Sequence, residues 1–187
     1  VTSEDMKILP SLDALERHIL GKGTEVLKKK DDNIVITTKT EDKDRFQSVV
    51  VIFHPRGSIG SGFYVTEDTV LTNYHVTEGT SFLELALFNG DETFGKVIAK
   101  DLRLDLALVK VQARGEPVTF YREKSLTLGS TVEAIGHPSG LEFSITRGAI
   151  SGIRRLPSRY DPGGKAIRFI QTDVAINPGN SGGPLYL

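Results

Sequence analysis

Asn177-Pro178-Gly179-Asn180-Ser181-Gly182-Gly183-Pro184 is the stretch on which the reading of this chain turns. It sets a serine among glycines, in a segment too rich in turn formers to run on as a strand or helix. Glycine accepts positive φ without a Cβ clash, so Gly179 and Gly183 let the backbone fold sharply around Ser181. Such a turn can aim the backbone N–H groups of Gly179 and Ser181 at one point, which is what holding an oxyanion requires. Taken alone, the stretch also fits an ordinary surface turn. The residues that separate the two readings lie upstream.

Val70-Leu71-Thr72-Asn73-Tyr74-His75-Val76 follows Gly60-Ser61-Gly62-Phe63-Tyr64-Val65, and Asp105-Leu106-Ala107-Leu108-Val109-Lys110 comes next. A serine hydroxyl attacks a carbonyl only if a base takes its proton, and histidine is the side chain suited to that task near neutral pH. A carboxylate on the other ring nitrogen fixes the tautomer and stabilises the imidazolium as it forms. The order His75, Asp105, Ser181 is that of chymotrypsin-like enzymes, not of subtilisin or the α/β-hydrolases. A lone histidine after a strand is usually structural, and a lone aspartate at a strand start is usually a solvated turn residue. Three such residues in this order, beside apolar strands, are read as a catalytic triad.

These segments, together with Gln171-Thr172-Asp173-Val174-Ala175-Ile176-Asn177, resemble the HtrA/Deg family of trypsin-fold serine proteases from about Ser48 to the last residue. The resemblance implies an all-β fold of two six-stranded antiparallel barrels. It makes His75 the general base, Asp105 its orienting partner and Ser181 the nucleophile, with Gly179 and Ser181 supplying the oxyanion N–H groups. It puts the substrate pocket at Ala175, Ile176 and Asn177, with Ala175 at the floor. A methyl group there favours small or medium apolar side chains at the cleavage position. Asn180 stands where digestive relatives carry an aspartate that pairs with a newly cut N-terminus, so that mode of activation is not expected. The family further implies unfolded or damaged polypeptides as substrates, protein quality control, trimeric assembly through N-terminal segments, and a periplasmic, cell-envelope or organelle-lumen location. No cofactor or metal is expected. The fold needs further strands beyond the Ser181 turn, and PDZ modules are common in the family. Neither is supplied here, so a fragment, or strands from another chain, is expected.

With 187 residues, 39% hydrophobic and 25% charged, the composition is that of an ordinary globular protein. A net charge of −1 gives no reason to expect nucleic acid or an anionic membrane as partner. No apolar run reaches membrane-span length, and residues 1–20 lack a signal-peptide pattern. The absence of cysteine excludes cysteine-nucleophile variants of the fold, a disulfide framework and cysteine-based zinc sites.

Residues 1–45 read as an N-terminal arm. Pro10-Ser11 opens a helix with Leu12, Leu15 and Ile19 on one face, Gly21-Lys22-Gly23 ends it, and Asn33 to Thr38 forms a short strand. Residues 46–111 read as the first barrel, with strands at Ser48 to Phe53, Gly62 to Val65, Val70 to Thr72, Phe82 to Leu87, Thr93 to Ala99 and Leu106 to Val111. Residues 112–124 cross to the second barrel at 125–187, which is incomplete and has strands at Thr131 to Ile135, Ser144 to Ile153 and Arg168 to Gln171. Residues 154–166, rich in turn formers and long for a link between strands, read as a mobile regulatory loop. His18, His54 and His137 read as structural or solvated.

The leading function is a serine endopeptidase acting through an acyl-enzyme. The alternative is a catalytically silent polypeptide-binding module of the same fold. An esterase fits less well, because Pro184-Leu185-Tyr186 does not begin the helix that follows an esterase nucleophile elbow.

Overall fold

Strand-forming runs dominate the chain, and the computed structural model builds two antiparallel sheets from them. It describes residues 6–7, 45–122, 125–137 and 143–187. The helix expected over 10–23 and the strand over 33–38 lie outside the described residues. Within the described residues the strands are β1 (Met6–Lys7), β2 (Val49–Phe53), β3 (Ile59–Thr66), β4 (Thr69–Thr72), β5 (Phe82–Leu87), β6 (Glu92–Asp101), β7 (Leu106–Val111), β8 (Thr131–Gly136), β9 (Ser144–Leu156), β10 (Ile167–Thr172) and β11 (Leu185–Tyr186). No helix among them is long and apolar enough to cross a membrane.

Six of these strands close into a barrel in the order β2-β3-β4-β7-β6-β5, as β5 pairs back onto β2. Closure leaves no edge strand, so every strand has partners on both sides. Alternate residues turn inward: Val50 and Ile52, Leu83 and Leu85, Val109 and Val111 pack around Tyr64 in one buried cluster. Gly95 sits where a Cβ would come within 2.5 Å of Val109 Cγ1, so the narrow interior admits no side chain there.

After β7 the chain crosses to the second sheet along the outside of the barrel. Gly115 N–H donates to Glu67 O and Val118 N–H to Tyr64 O, each at 2.9 Å. Val118 and Phe120 cover Phe63 and Leu71.

The second sheet has five strands in the order β1-β10-β9-β8-β11 and does not close. Its core is Val132, Ala134, Ile150, Ile170 and Val174. The edge strand β1 pairs Met6 with Gln171 and Lys7 with Ile170, a two-residue addition that no local pattern signals.

Two contacts lock the halves together. Phe88 stacks on Phe46 (5.0 Å between centroids) and meets Phe143 edge-on (5.1 Å). Glu133, nearly buried on β8, pairs with both Arg45 and Arg147, so its charge is compensated from either side.

Candidate active site

The segment after β4 tightens into a 3-10 turn at Tyr74–Val76, where Thr77 donates to Tyr74 O from both its backbone N–H (2.8 Å) and its hydroxyl (2.9 Å). This turn carries His75. Asp105 arrives at the same end of the barrel's β4–β7 pair, where Thr72 lies opposite Ala107, at the end of the turn joining β6 to β7. That turn is held by Asp105 N–H to Leu102 O (3.1 Å) and by Leu104 N–H to Asp101 Oδ1 (2.9 Å). Asp105 has φ of 54°, the left-handed region that aspartate tolerates better than most residues.

The two turns grip one another at several points. Asp105 O accepts from Asn73 Nδ2 (2.8 Å) and from Tyr74 N–H (3.0 Å). Asp105 Oδ1 accepts His75 N–H (3.0 Å), and Oδ2 lies 2.7 Å from His75 Nδ1. An ionised carboxylate only accepts, so Nδ1 is the donor in this bond and Nε2 is the ring nitrogen left facing away from Asp105.

Ser181 sits on a turn between β10 and β11. Gly179 and Gly182 have φ of 102° and 86°, and Asn180 N–H donates to Asn177 O (3.0 Å) while Gly183 N–H donates to Asn180 O (2.9 Å). At Gly182 a Cβ would lie 2.2 Å from Ser61 O, so a second constraint, close approach to the first barrel, adds to the left-handed backbone. Ser61 on β3 makes that approach. Its hydroxyl donates to Gly179 O (2.6 Å) and accepts from His137 N–H (3.2 Å), and its N–H donates to Ser181 O (2.8 Å). Thr72 Oγ1 in turn donates to Ser61 O (2.7 Å). Among the described residues, the N–H groups of Gly179 and Ser181 have no protein acceptor.

His75, Asp105, Ser181 and Gly179 all line one cleft of about 590 Å³. No hydrogen bond joins Ser181 to His75 among the described residues. Ile176 and Asn177 line the same cleft, whereas Ala175 is exposed outside the lining, its carbonyl accepting from Thr146 Oγ1 (3.0 Å).

The link between β9 and β10 forms a further wall. Ser158 bridges Asp161, and Tyr160 meets Tyr74 edge-on with 5.4 Å between ring centroids. Burial first, and then the Asp105 charge, raise the Tyr160 hydroxyl above the usual tyrosine range. His54 has both ring nitrogens occupied, one accepting Arg56 N–H (3.0 Å) and the other donating to Glu78 O (3.0 Å), a structural pin.

Sequence reasoning did not single out Ser61, Thr72, Asn73 or Tyr160 as site residues. Only Ser61 left a trace, as the lone side chain between two glycines in Gly60-Ser61-Gly62.

Residues 60–187 match the family model described as a trypsin-like peptidase domain, and the chain belongs to that family. It is 45% identical over 135 residues to a protein of Halomonas elongata named "Probable periplasmic serine endoprotease DegP-like", covering 70% of this chain and 27% of that one. It is 47% identical over 128 residues to the "Putative serine protease HhoB" of Synechocystis, covering 67% of this chain and 31% of that one. The solved HtrA-type protease AlgW with tripeptide superposes with a TM-score of 0.66 at 35% identity, over 75% of this chain and 47% of that one. Within the trypsin-like peptidases the similarity is thus to the HtrA/Deg type. The chain spans less than a third of the length of these two curated relatives.

Proposed function

We propose that this chain is the catalytic part of a serine endopeptidase that hydrolyses unfolded or damaged polypeptides in protein quality control. The observation that carries the reading is the two-point hold of the Asp105 carboxylate on His75, in the cleft that also contains Ser181.

In this mechanism Ser181 Oγ adds to the scissile carbonyl carbon as its proton passes to His75 Nε2. The carbonyl π pair moves onto oxygen, where the N–H groups of Gly179 and Ser181 receive it. The C–N bond then breaks, and the leaving amine takes the proton from Nε2. Water gives a proton to Nε2 and attacks the resulting ester, and collapse releases the acid and restores Ser181. The pocket is proposed at Ile176 and Asn177, with Ala175 bordering it.

A catalytically silent binding module has one observation in its favour, the missing hydrogen bond between Ser181 and His75. Fluorophosphonate labelling and casein cleavage separate the two. Ser181→Ala is expected to remove both signals with the fold intact, at a cost in kcat of about 10⁴–10⁶. Casein cleavage retained by the purified variant would sink the endopeptidase reading.

The same proposal includes trimers, or multiples of trimers, assembled through the N-terminal arm. An isolated helix of the length expected over 10–23 is marginal in water, so its Leu12, Leu15 and Ile19 stripe needs a surface to cover it. Sedimentation of the intact protein against one lacking residues 1–44 tests this, and it spares the Arg45–Glu133 pair. A trimer unchanged by the deletion, or a full-length monomer at every concentration, removes the arm from assembly.

A further inference from the structure

The charge lining the cleft is lopsided. Arg103, on the turn from the first barrel, and Arg159, on the β9–β10 link of the second sheet, both line it. Asp105 is the one carboxylate in the lining, and both its oxygens are turned onto His75. Neither arginine has a carboxylate partner among the described residues, although Arg45, Lys110, Arg114 and Arg147 elsewhere are each paired with one. The Arg159 guanidinium instead lies over the Tyr160 ring, 5.8 Å from its centroid. That ring is itself fixed against Tyr74, next to His75, so the cation is held at the cleft edge.

The surrounding hairpin has the same sign. Between 154 and 168 the sequence carries Arg154, Arg155, Arg159, Lys165 and Arg168 against Asp161 alone, in a chain whose net charge is −1. The Asp161 carboxylate is turned into its own loop, against Gly164. Arg155 and Arg168 stand directly opposite one another across β9 and β10, a like-charge pairing that destabilises a sheet unless anions accompany it. Glu78 is close enough to act on the Tyr160 hydroxyl but does not line the cleft.

The geometry points to a substrate class: polypeptides carrying glutamate or aspartate within a few residues of the bond to be cut, their carboxylates received by Arg103 and Arg159. This rests on the endopeptidase reading and narrows it. Leu156, Phe169 and Ile176 line the apolar part of the same cleft, so the preferred segment pairs an apolar side chain with a neighbouring acid. Exposed ion pairs are individually weak, and two together give a preference of roughly 2–20-fold for acidic over basic flanks. Such a preference is screened as the Debye length shrinks to about 3 Å near 1 M salt.

The test uses the full chain carrying Ser181→Ala, so that binding is read without turnover. Three fluorescent peptides share one apolar centre and carry Glu, Gln or Lys on either side. The expected order of affinity is Glu, Gln, Lys at low salt, collapsing near 1 M NaCl. Adding Arg103→Glu and Arg159→Glu is expected to reverse the order, and the paired Arg→Gln changes to flatten it without reversal. Three equal affinities, or an order unmoved by charge reversal, overturn the inference. Fluorophosphonate labelling of the protein with Ser181 intact reports separately on the nucleophile. A labelled protein that binds all three peptides alike keeps the endopeptidase reading and discards this one. An unlabelled protein that sorts them by charge does the opposite.

Discussion

Two aspartates four positions apart show how residue-scale geometry assigns different work to one side chain type. Asp101 ends β6, and its Oδ1 accepts Leu104 N–H at 2.9 Å, holding the turn. Asp105 ends that turn in a left-handed conformation, with its carboxylate on His75. Asparagine keeps a carbonyl acceptor and tolerates positive φ, so it replaces either residue without new strain. Asp101→Asn is expected to stay within a few-fold of the unmodified protein in peptide hydrolysis. Asp105→Asn is expected to lose about 10⁴ in rate, since an amide that donates to Nδ1 imposes the wrong tautomer. The reverse pattern in measured rates would remove Asp105 from the proposed triad.

At the scale of the element, the β9–β10 link is the segment to test. Residues 157–166 join two long strands, yet the link is pinned by the Ser158–Asp161 bridge and by Tyr160 against Tyr74. An aromatic pair of this kind is worth about 0.5–1.5 kcal/mol, enough to hold the link against the turn that bears His75. If the link regulates the site, Tyr160→Ala lowers kcat by about two- to tenfold, Tyr160→Phe restores it, and deleting 158–164 abolishes the response to unfolded substrate. Peptide cleavage and substrate response both unchanged by the deletion would leave the link without a regulatory part.

Across the whole molecule, one buried and one partly buried tyrosine tie stability to alkaline pH. Tyr64, fully buried in the closed barrel, and Tyr186, on β11 of the open sheet, are each pushed up to about 12, chiefly by burial. The fold therefore favours the neutral phenol over the phenolate. This contribution is complete below the unfolded value near pH 10 and is lost as pH rises toward 12. The expected loss over that interval is about 2–3 kcal/mol per tyrosine. Denaturant midpoints measured from about pH 8 to 12 check it. Tyr64→Phe starts lower, having lost its 3.3 Å bond to Ala113 O, but declines less steeply. Equal declines in the variant and the unmodified protein would show that burial of Tyr64 is not the cause.

Local pattern alone determined the strands that turn formers bound on both sides. Phe82–Leu87 and Leu106–Val111 have the bounds expected from apolar runs broken by turn formers, because such punctuation needs no knowledge of the partner strand. The extra residues of Ile59–Thr66 and Ser144–Leu156 were not legible in this way. There the ladder of hydrogen bonds, not the pattern of side chains, carries the strand onward. His75, Asp105 and Ser181 could be singled out from their neighbours, since turn formers and apolar runs are local properties, and the structure brings all three to one cleft. Only the tertiary structure decided what holds them. Ser61 meets Gly179 across 118 positions of sequence, and Tyr160 reaches Tyr74 from the other sheet, contacts that exist only once the barrel has closed and the second sheet has docked on it. Closure itself belongs to the same class: β5 finds β2 because the twist of six strands brings the edges together, and no single strand encodes that meeting.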